Sequence, residues 1–420
     1  MNKLTKILIF TTVFLIPSYL IRFSIFGIPT NVLEVLIYSI FVSYLFERPN
    51  INWKELYENY KIHIFSITLI FIGLFLSTLI NQNYREGFGI IKGWFFDPIL
   101  FSFVLIHKIK DQKDIENILK TLYFSALAVG IIAFEYLFYG HLTYDGRLQA
   151  FYTSPNYLAM FLSPSVFVGL YLLKIQNSKL IQNSKFKIQN FTIPVTLLLI
   201  VFAIYFTYSY AAWISIVLSL IIVALITKNI SKRLLLISFL IIFFAFLTQA
   251  NNPKLKDIFS ERSSLSSRMM IWKSSTLMIK NNFIFGIGPG NFQNKYLEYQ
   301  KYFPPYLEWA VPEPHNLYLA FWLQSGVIGL IGLIVLIYFW LKKTIKEIFS
   351  NQKNSPLRLD ETSPRIETSA ILAVSLGIII YILLHGFFDT TYWKNDLALI
   401  FWMIIFSAKN FDKLPAQKSC

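Results

Sequence analysis

The sequence predicts an all-α, polytopic integral membrane protein with about twelve transmembrane helices and one large extracytoplasmic loop. Three observations carry that expectation. Hydrophobic residues make up 55% of the 420 and charged residues only 15%, with a mean hydropathy of +0.54, which leaves too little polar surface to cover a water-soluble globule of this size. The apolar residues gather into stretches of about 20, the length that crosses about 30 Å of hydrocarbon. The polar residues are massed in one large interruption, Ala250 to Asn316, which ends in Pro-Glu-Pro-His-Asn.

The expected spans run at 7–26, 28–46, 62–80, 88–106, 118–139, 151–173, 191–208, 210–227, 233–249, 316–341, 369–388 and 395–408. They divide the chain into an N-terminal transmembrane bundle (1–249), an extracytoplasmic loop with amphipathic helices (250–316), and C-terminal transmembrane helices with a cytoplasmic tail (317–420). The first stretch follows Lys3 and Lys6 but is not followed by a small-residue cleavage site, so it reads as an uncleaved helix. Lys174 to Asn190, with Ile-Gln-Asn-Ser-Lys at 175 and again at 181, reads as a basic low-complexity linker, and Asn351 to Thr368, with two prolines, as a second.

Orientation follows from charge. With the N-terminus in the cytoplasm, 24 of the 38 lysines and arginines fall on cytoplasmic pieces, whereas the short outer loops hold only Arg85, Arg147 and Lys394. The positive-inside rule therefore puts both termini in the cytoplasm and the large loop outside, in a cytoplasmic (inner) membrane. The net charge of +15 is accounted for by topology and attraction to anionic membrane lipid, with no nucleic-acid partner required. The lone cysteine, Cys420, excludes a disulfide-stapled loop. The five histidines, at 63, 107, 141, 315 and 385, have no metal-ligand spacing, so neither a metal nor a cofactor is expected.

Within the loop, Ser266 to Asn281 spaces Met269, Trp272, Thr276 and Ile279 at helical intervals with Lys273 and Lys280 on another face, an amphipathic pattern suited to the membrane interface. The pattern fits a helix that simply caps the bundle, and it also fits a site in which Arg268, near free backbone amides, meets a phosphate. Phe285-Gly-Ile-Gly-Pro-Gly-Asn-Phe292 lacks the preceding strand and the Lys-Ser/Thr of a nucleotide loop, so it reads as a turn built on positive φ angles. The aromatic run from Lys295 to Ala310 (Tyr296, Tyr299, Tyr302, Phe303, Tyr306, Trp309) suits interface anchoring and sugar stacking alike. His315 stands at the start of the tenth span, where a helix N-terminus favours the neutral imidazole that a general base needs, though a plain capping role fits the same position.

Arg268 with Trp272, the Phe285–Phe292 turn, and Pro314-His-Asn-Leu-Tyr-Leu319 followed by Gly326-Val-Ile-Gly329 together resemble the signature of the bacterial O-antigen ligase and O-antigen polymerase superfamily. Gly146-Arg-Leu-Gln-Ala-Phe151 with Ser154-Pro-Asn-Tyr-Leu-Ala159 resembles its upstream element, so the resemblance runs from about Arg147 to Asp389. Two positions depart from it: Tyr210 stands where an arginine is usual, and Gln324 where a glutamate is common.

The resemblance implies metal- and nucleotide-independent glycan transfer on the outer face of the membrane. The donor would be a glycan on a polyprenyl pyrophosphate, and the acceptor a lipid-linked sugar such as lipid A core, another glycan or a protein. On that reading Arg268 and Arg147 bind the pyrophosphate, His315 accepts the acceptor's proton, and Asn316 and Asn156 orient. Arg147 equally fits a solvated loop charge, and Lys92, a charge within the fourth span, fits either a path through the bundle or a place near the outer end of its span where it assists the phosphate site. Ligase and polymerase share the donor and differ only in acceptor. Charges inside spans, namely Glu34, Lys92, Asp97 and Glu135, are expected to face the bundle interior and leave a rival class, a lipid-linked glycan flippase or other secondary transporter. Against it, no internal repeat pairs the two halves.

Overall fold

The computed structural model describes residues 2–109, 111–182, 192–228, 247–250, 252, 263–305, 309–353 and 364–407. Helices follow the apolar stretches in order: α1 (Asn2–Phe14), α2 (Val32–Phe46), α3 (Trp53–Asn81), α4 (Tyr84–Ile91), α5 (Asp97–Lys108), α6 (Gln112–Phe138), α7 (Pro155–Gln182), α8 (Thr192–Phe206) and α9 (Tyr210–Ile226). After them come α10 (Ser264–Asn281), α11 (Phe292–Tyr299), α12 (Leu317–Lys353), α13 (Pro364–His385) and α14 (Asn395–Ser407). A π-helical turn, Lys92–Phe96, joins α4 to α5 in one span.

Among the described residues six helices are long and apolar enough to cross a membrane: α3, α4–α5, α6, the first part of α7, most of α12, and α13 from Glu367. Four more, α2, α8, α9 and α14, are apolar but only 13 to 17 residues long. The stretch expected at 233–249 falls, but for its last residues, outside the described residues, as does most of the second linker. The first linker is helical as far as Gln182.

The first two expected spans need correction. Helix α1 stops at Phe14, a 3₁₀ turn at Ile16–Leu20 carries Pro17, and Arg22–Ile25 then pairs antiparallel with Ile28–Asn31. Pro17 and Pro29 each lack an N–H for a helical ladder, and Phe26-Gly27 forms a two-residue hairpin turn with both φ angles positive, so the chain reverses outside a helix. Asn31 then caps α2 by accepting from the Glu34 amide at 3.0 Å.

Helices α3 and α12 run antiparallel in close contact, with the backbone of Ser325 and Gly329 lying where a side chain on Gly73 would project. Helix α12 is broken at Gly326, whose φ of 64° and ψ of −175° leave the helical region. The break admits an incoming strand of loop: Val327 N donates to Ile284 O at 3.1 Å, and Ile287 N to Leu323 O at 2.6 Å. A β-carbon at Gly326 would sit 2.1 Å from Ile284 O, so only glycine serves. Helix α14 is buried along its whole length, apolar on every face and enclosed by protein, which explains how 13 residues suffice.

The charges expected inside spans behave unequally. Asp97 is buried and accepts from Tyr38 Oη at 2.7 Å, and Glu34 is buried against Lys92. Glu135 is exposed near the end of α6 instead of facing the bundle interior, a place where its carboxylate keeps its hydration.

Candidate active site

The polar segment before α12 packs onto the bundle through its own small core. Met270, Ile271 and Met278 of α10 close on Ile287, Phe292, Tyr296 and Leu323. The buried face of α10 thus differs by about one residue from the one its periodicity suggested: Met269 and Thr276 are exposed, and Ser267, Ser274 and Ser275 are buried with the methionines. Small serines let the helix approach its neighbours closely, while Lys273 and Lys280 keep to the solvent side as expected. In the Phe285–Phe292 turn all three glycines adopt positive φ, 68°, 86° and 83°. The aromatic run divides: Tyr296 is core, Tyr302 and Trp309 are exposed, and Tyr306 lies outside the described residues.

Helix α10 also fixes the His315 segment. Trp272 Nε1 donates to the carbonyls of Pro314 (3.1 Å) and His315 (3.3 Å), so this tryptophan is a tether and more than an interface anchor. Asn316 caps α12, its Oδ1 accepting from the amides of Tyr318 and Leu319, both at 3.0 Å, while its Nδ2 donates to Phe387 O at 3.0 Å. Leu317 N donates to Gly386 O at 2.7 Å. The entry to α12 is thereby sewn to the turn after α13, and His315 is held at φ 47°, a left-handed conformation that costs about 1–3 kcal/mol and persists only where the surroundings impose it.

That turn carries Asp389, on which the site converges. Its Oδ1 lies 3.1 Å from His315 Nδ1 and accepts from the Thr390 amide at 2.9 Å, and its Oδ2 accepts from Asn156 Nδ2 at 2.8 Å. Arg268 Nη2 stands 3.7 Å from the same Oδ2. Asn156 in turn accepts from Arg147 Nη2 at 2.6 Å, and Arg147 Nε donates to Thr207 O, at the end of α8, at 2.7 Å. Burial alone raises the Asp389 pKa, but the neighbouring His315 and Arg268 outweigh it and hold the carboxyl well below the usual range. Burial pulls the Arg147 pKa down, opposed by Asp145 and Asp389, and a guanidinium remains charged regardless.

The polar groups left over define what the site can take. The Arg268 guanidinium makes no hydrogen bond to a described residue, although its Nε is buried, and His315 Nε2 has no partner among them either. Arg268 faces Asp389 directly, whereas Arg147 reaches it through Asn156 and stands 3.9 Å from Asp145, so two guanidiniums meet two carboxylates beside an imidazole whose Nδ1 is oriented by Asp389. The Arg268 donors can take an anion, and the free imidazole nitrogen can take a proton next to it.

A second layer lies behind the first. Glu313, buried, accepts from Thr390 Oγ1, from Tyr157 Oη at 3.1 Å, and pairs with Lys394 at 3.3 Å. Lys394 lies over the Tyr157 ring, 4.5 Å from its centroid. Glu313 is two residues from His315, and Thr390 is the neighbour of Asp389, so this cluster clamps the two segments that bear the pair.

Of the six residues singled out from sequence, four come together, His315, Arg268, Arg147 and Asn156, while Asn316 lies next to His315 with its side chain spent on the α12 cap and Phe387 O. Lys92 does not join them. It pairs with Glu34 at 2.7 Å and donates to Pro29 O at 3.0 Å, held by the hairpin. Asp389, Glu313 and Lys394 were not foreseen. Asp389 and Lys394 are signalled only as charges in a short polar interruption between apolar spans, and Glu313 only by its place in the Pro-Glu-Pro-His-Asn run that ends the large loop. Tyr210 is buried within electrostatic range of Arg147, so the position where an arginine is usual still borders the site. Gln324 is buried on α12, its Oε1 without a hydrogen-bond partner among the described residues.

Residues 195–334, about a third of the chain, match the model of a protein family described as O-antigen ligase. The matched segment contains Arg268 and His315, whereas Arg147, Asn156 and Asp389 lie outside it and reach the site through the fold. No curated protein matches the chain significantly.

Proposed function

We propose, from a chain whose residues 195–334 belong to the O-antigen ligase superfamily, that it transfers a glycan from a polyprenyl pyrophosphate to an acceptor hydroxyl. The reaction would take place at the outer face of the cytoplasmic membrane. Membrane glycosyl transfer of the ligase or polymerase type follows from the family. The donor and the step rest on one observation: His315, Asp389, Arg268 and the Arg147–Asn156 pair, from four separate chain segments, meet at one partly buried point.

In this reading the donor pyrophosphate lies against Arg268 and Arg147. The acceptor hydroxyl gives its proton to His315 Nε2 as its oxygen attacks the anomeric carbon. The new glycosidic bond forms, the bond from that carbon to the phosphate oxygen breaks, and polyprenyl pyrophosphate leaves with its charge held by the guanidiniums. Asp389 holds the Nδ1 proton of the ring and so keeps Nε2 free to accept. Glycan ligation is the preferred form, with polymerisation differing only in what supplies the hydroxyl. The transporter reading draws less support, because Asp97, Glu34 and Lys92 are paired internally instead of lining a path.

The test is transfer by the purified protein in liposomes, given a polyprenyl-pyrophosphate glycan and candidate acceptors without nucleotide or metal. Donor consumption that His315→Ala abolishes is expected. A single discrete adduct marks a ligase and a ladder a polymerase, whereas a wild-type protein that consumes no donor across several acceptors sinks the proposal.

A further inference from the structure

Far from His315, helices α3 and α12 part to leave a cleft of about 420 Å³. Lys342 on its rim lies 25 residues beyond Leu317, roughly 38 Å along α12 at about 1.5 Å per residue. The floor is made of His63, Trp340 and Thr344, all buried. The rim carries Lys61, Lys342, Lys343 and Lys346. Two of these cations are offset, Lys61 by Glu58 at 3.5 Å and Lys343 by Glu347 at 3.3 Å. Lys342 and Lys346, one helical turn apart on the same face, are exposed and have no ion-pair partner among the described residues.

We propose that this cleft binds the phosphate headgroup of an anionic phospholipid. Its volume lies in the range of about 300–1,000 Å³ typical of small-ligand sites. Its unpaired charge is positive. Tyr338 and Phe339 beside it are exposed on a membrane-crossing helix, so the mouth opens toward the acyl-chain side and a lipid reaches it with its tails in the bilayer. The lysine distribution of the sequence assigns this end to the cytoplasmic leaflet, where anionic lipids attract basic segments. Lys342 and Lys346 contact the phosphate, and the buried Trp340 and Thr344 close the cleft beneath it. The site is separate from the one around His315 and does not depend on the reaction assigned there.

Native mass spectrometry of the delipidated full-length protein, titrated with phosphatidylglycerol or phosphatidylcholine, tests this. Wild type is expected to retain phosphatidylglycerol preferentially, with one site tighter than the rest. At about 1 kcal/mol per basic residue near a membrane surface, Lys342→Gln and Lys346→Gln should each weaken that site roughly five-fold, whereas Lys280→Gln on α10 should leave it unchanged. Equal retention of the two lipids overturns the proposal, and so does full retention by the double variant. If inorganic phosphate displaces the lipid at millimolar concentration, the cleft is a site for soluble anions and the lipid assignment falls.

Discussion

Asn156 Nδ2 donates to Asp389 Oδ2 at 2.8 Å, joining the first turn of α7 to the turn between α13 and α14 across 233 positions of sequence. Through this bond the Arg147 branch and the His315 branch become one network, since Asn156 also accepts from Arg147 and Asp389 also faces His315.

If His315 and Asp389 act as a unit, Asp389→Asn should lower the transfer rate by about 10²–10⁴-fold, because an amide can present its NH₂ to the ring and favour the wrong tautomer. The double variant with His315→Ala should be no slower than His315→Ala alone. Initial rates of donor consumption for the three variants and wild type decide it. Additive losses would show that the two residues act independently.

Arg147 uses Nε and Nη2 in two directions at once, toward Thr207 O and Asn156 Oδ1, a fork that an ammonium group cannot reproduce. Arg147→Lys should therefore behave almost as Arg147→Ala, with a loss of about 1.5–3 kcal/mol in transition-state stabilisation, read as kcat/KM for the donor. Recovery of wild-type kcat/KM by lysine would mean that only charge matters.

Glu313 is the shared acceptor of Thr390, Tyr157 and Lys394. Glu313→Ala leaves these donors buried without it and should cost about 1–3 kcal/mol of stability, seen as a lower melting temperature. Glu313→Gln keeps one acceptor oxygen and should recover part of that loss.

Asp389 supplies a pH-dependent contribution whose sign is set by its depressed pKa. A carboxyl lower in the folded than in the unfolded state stabilises fully above its unfolded value, about 3.9, and loses that contribution as pH falls through the folded value. The melting-temperature gap between wild type and Asp389→Asn should stay constant from about pH 8 to 5 and narrow only below about pH 4. A gap that closes already between pH 7 and 5 would contradict the depressed pKa.

What could be read from sequence, and what could not, divides along physical lines. Helices showed in apolar run length, and the positive-φ turn showed in its glycines, because both are local properties. His315 and Arg268 were legible because each stands at a helix start inside the polar interruption. Asp389 was not, because its significance is a partnership formed across 74 residues, and a single aspartate after Phe387-Phe388 looks like an ordinary loop charge. Lys92 misled because the hairpin that claims it, at residues 22–31, hides inside two apolar stretches. The face of α10 was misjudged because its buried serines read as polar in any hydropathy pattern while serving as small contact residues.

The position of Asp389 bears on how the protein is made. Arg147, Arg268 and His315 all emerge from the ribosome before the carboxylate that unites them, and Asp389 takes its place only when α13 has been inserted and the turn after it has met the start of α12 through Gly386 and Phe387. A nascent chain that ends before residue 389 holds the arginines and the imidazole without the carboxylate that joins them, so on the proposed function the site is completed late in synthesis.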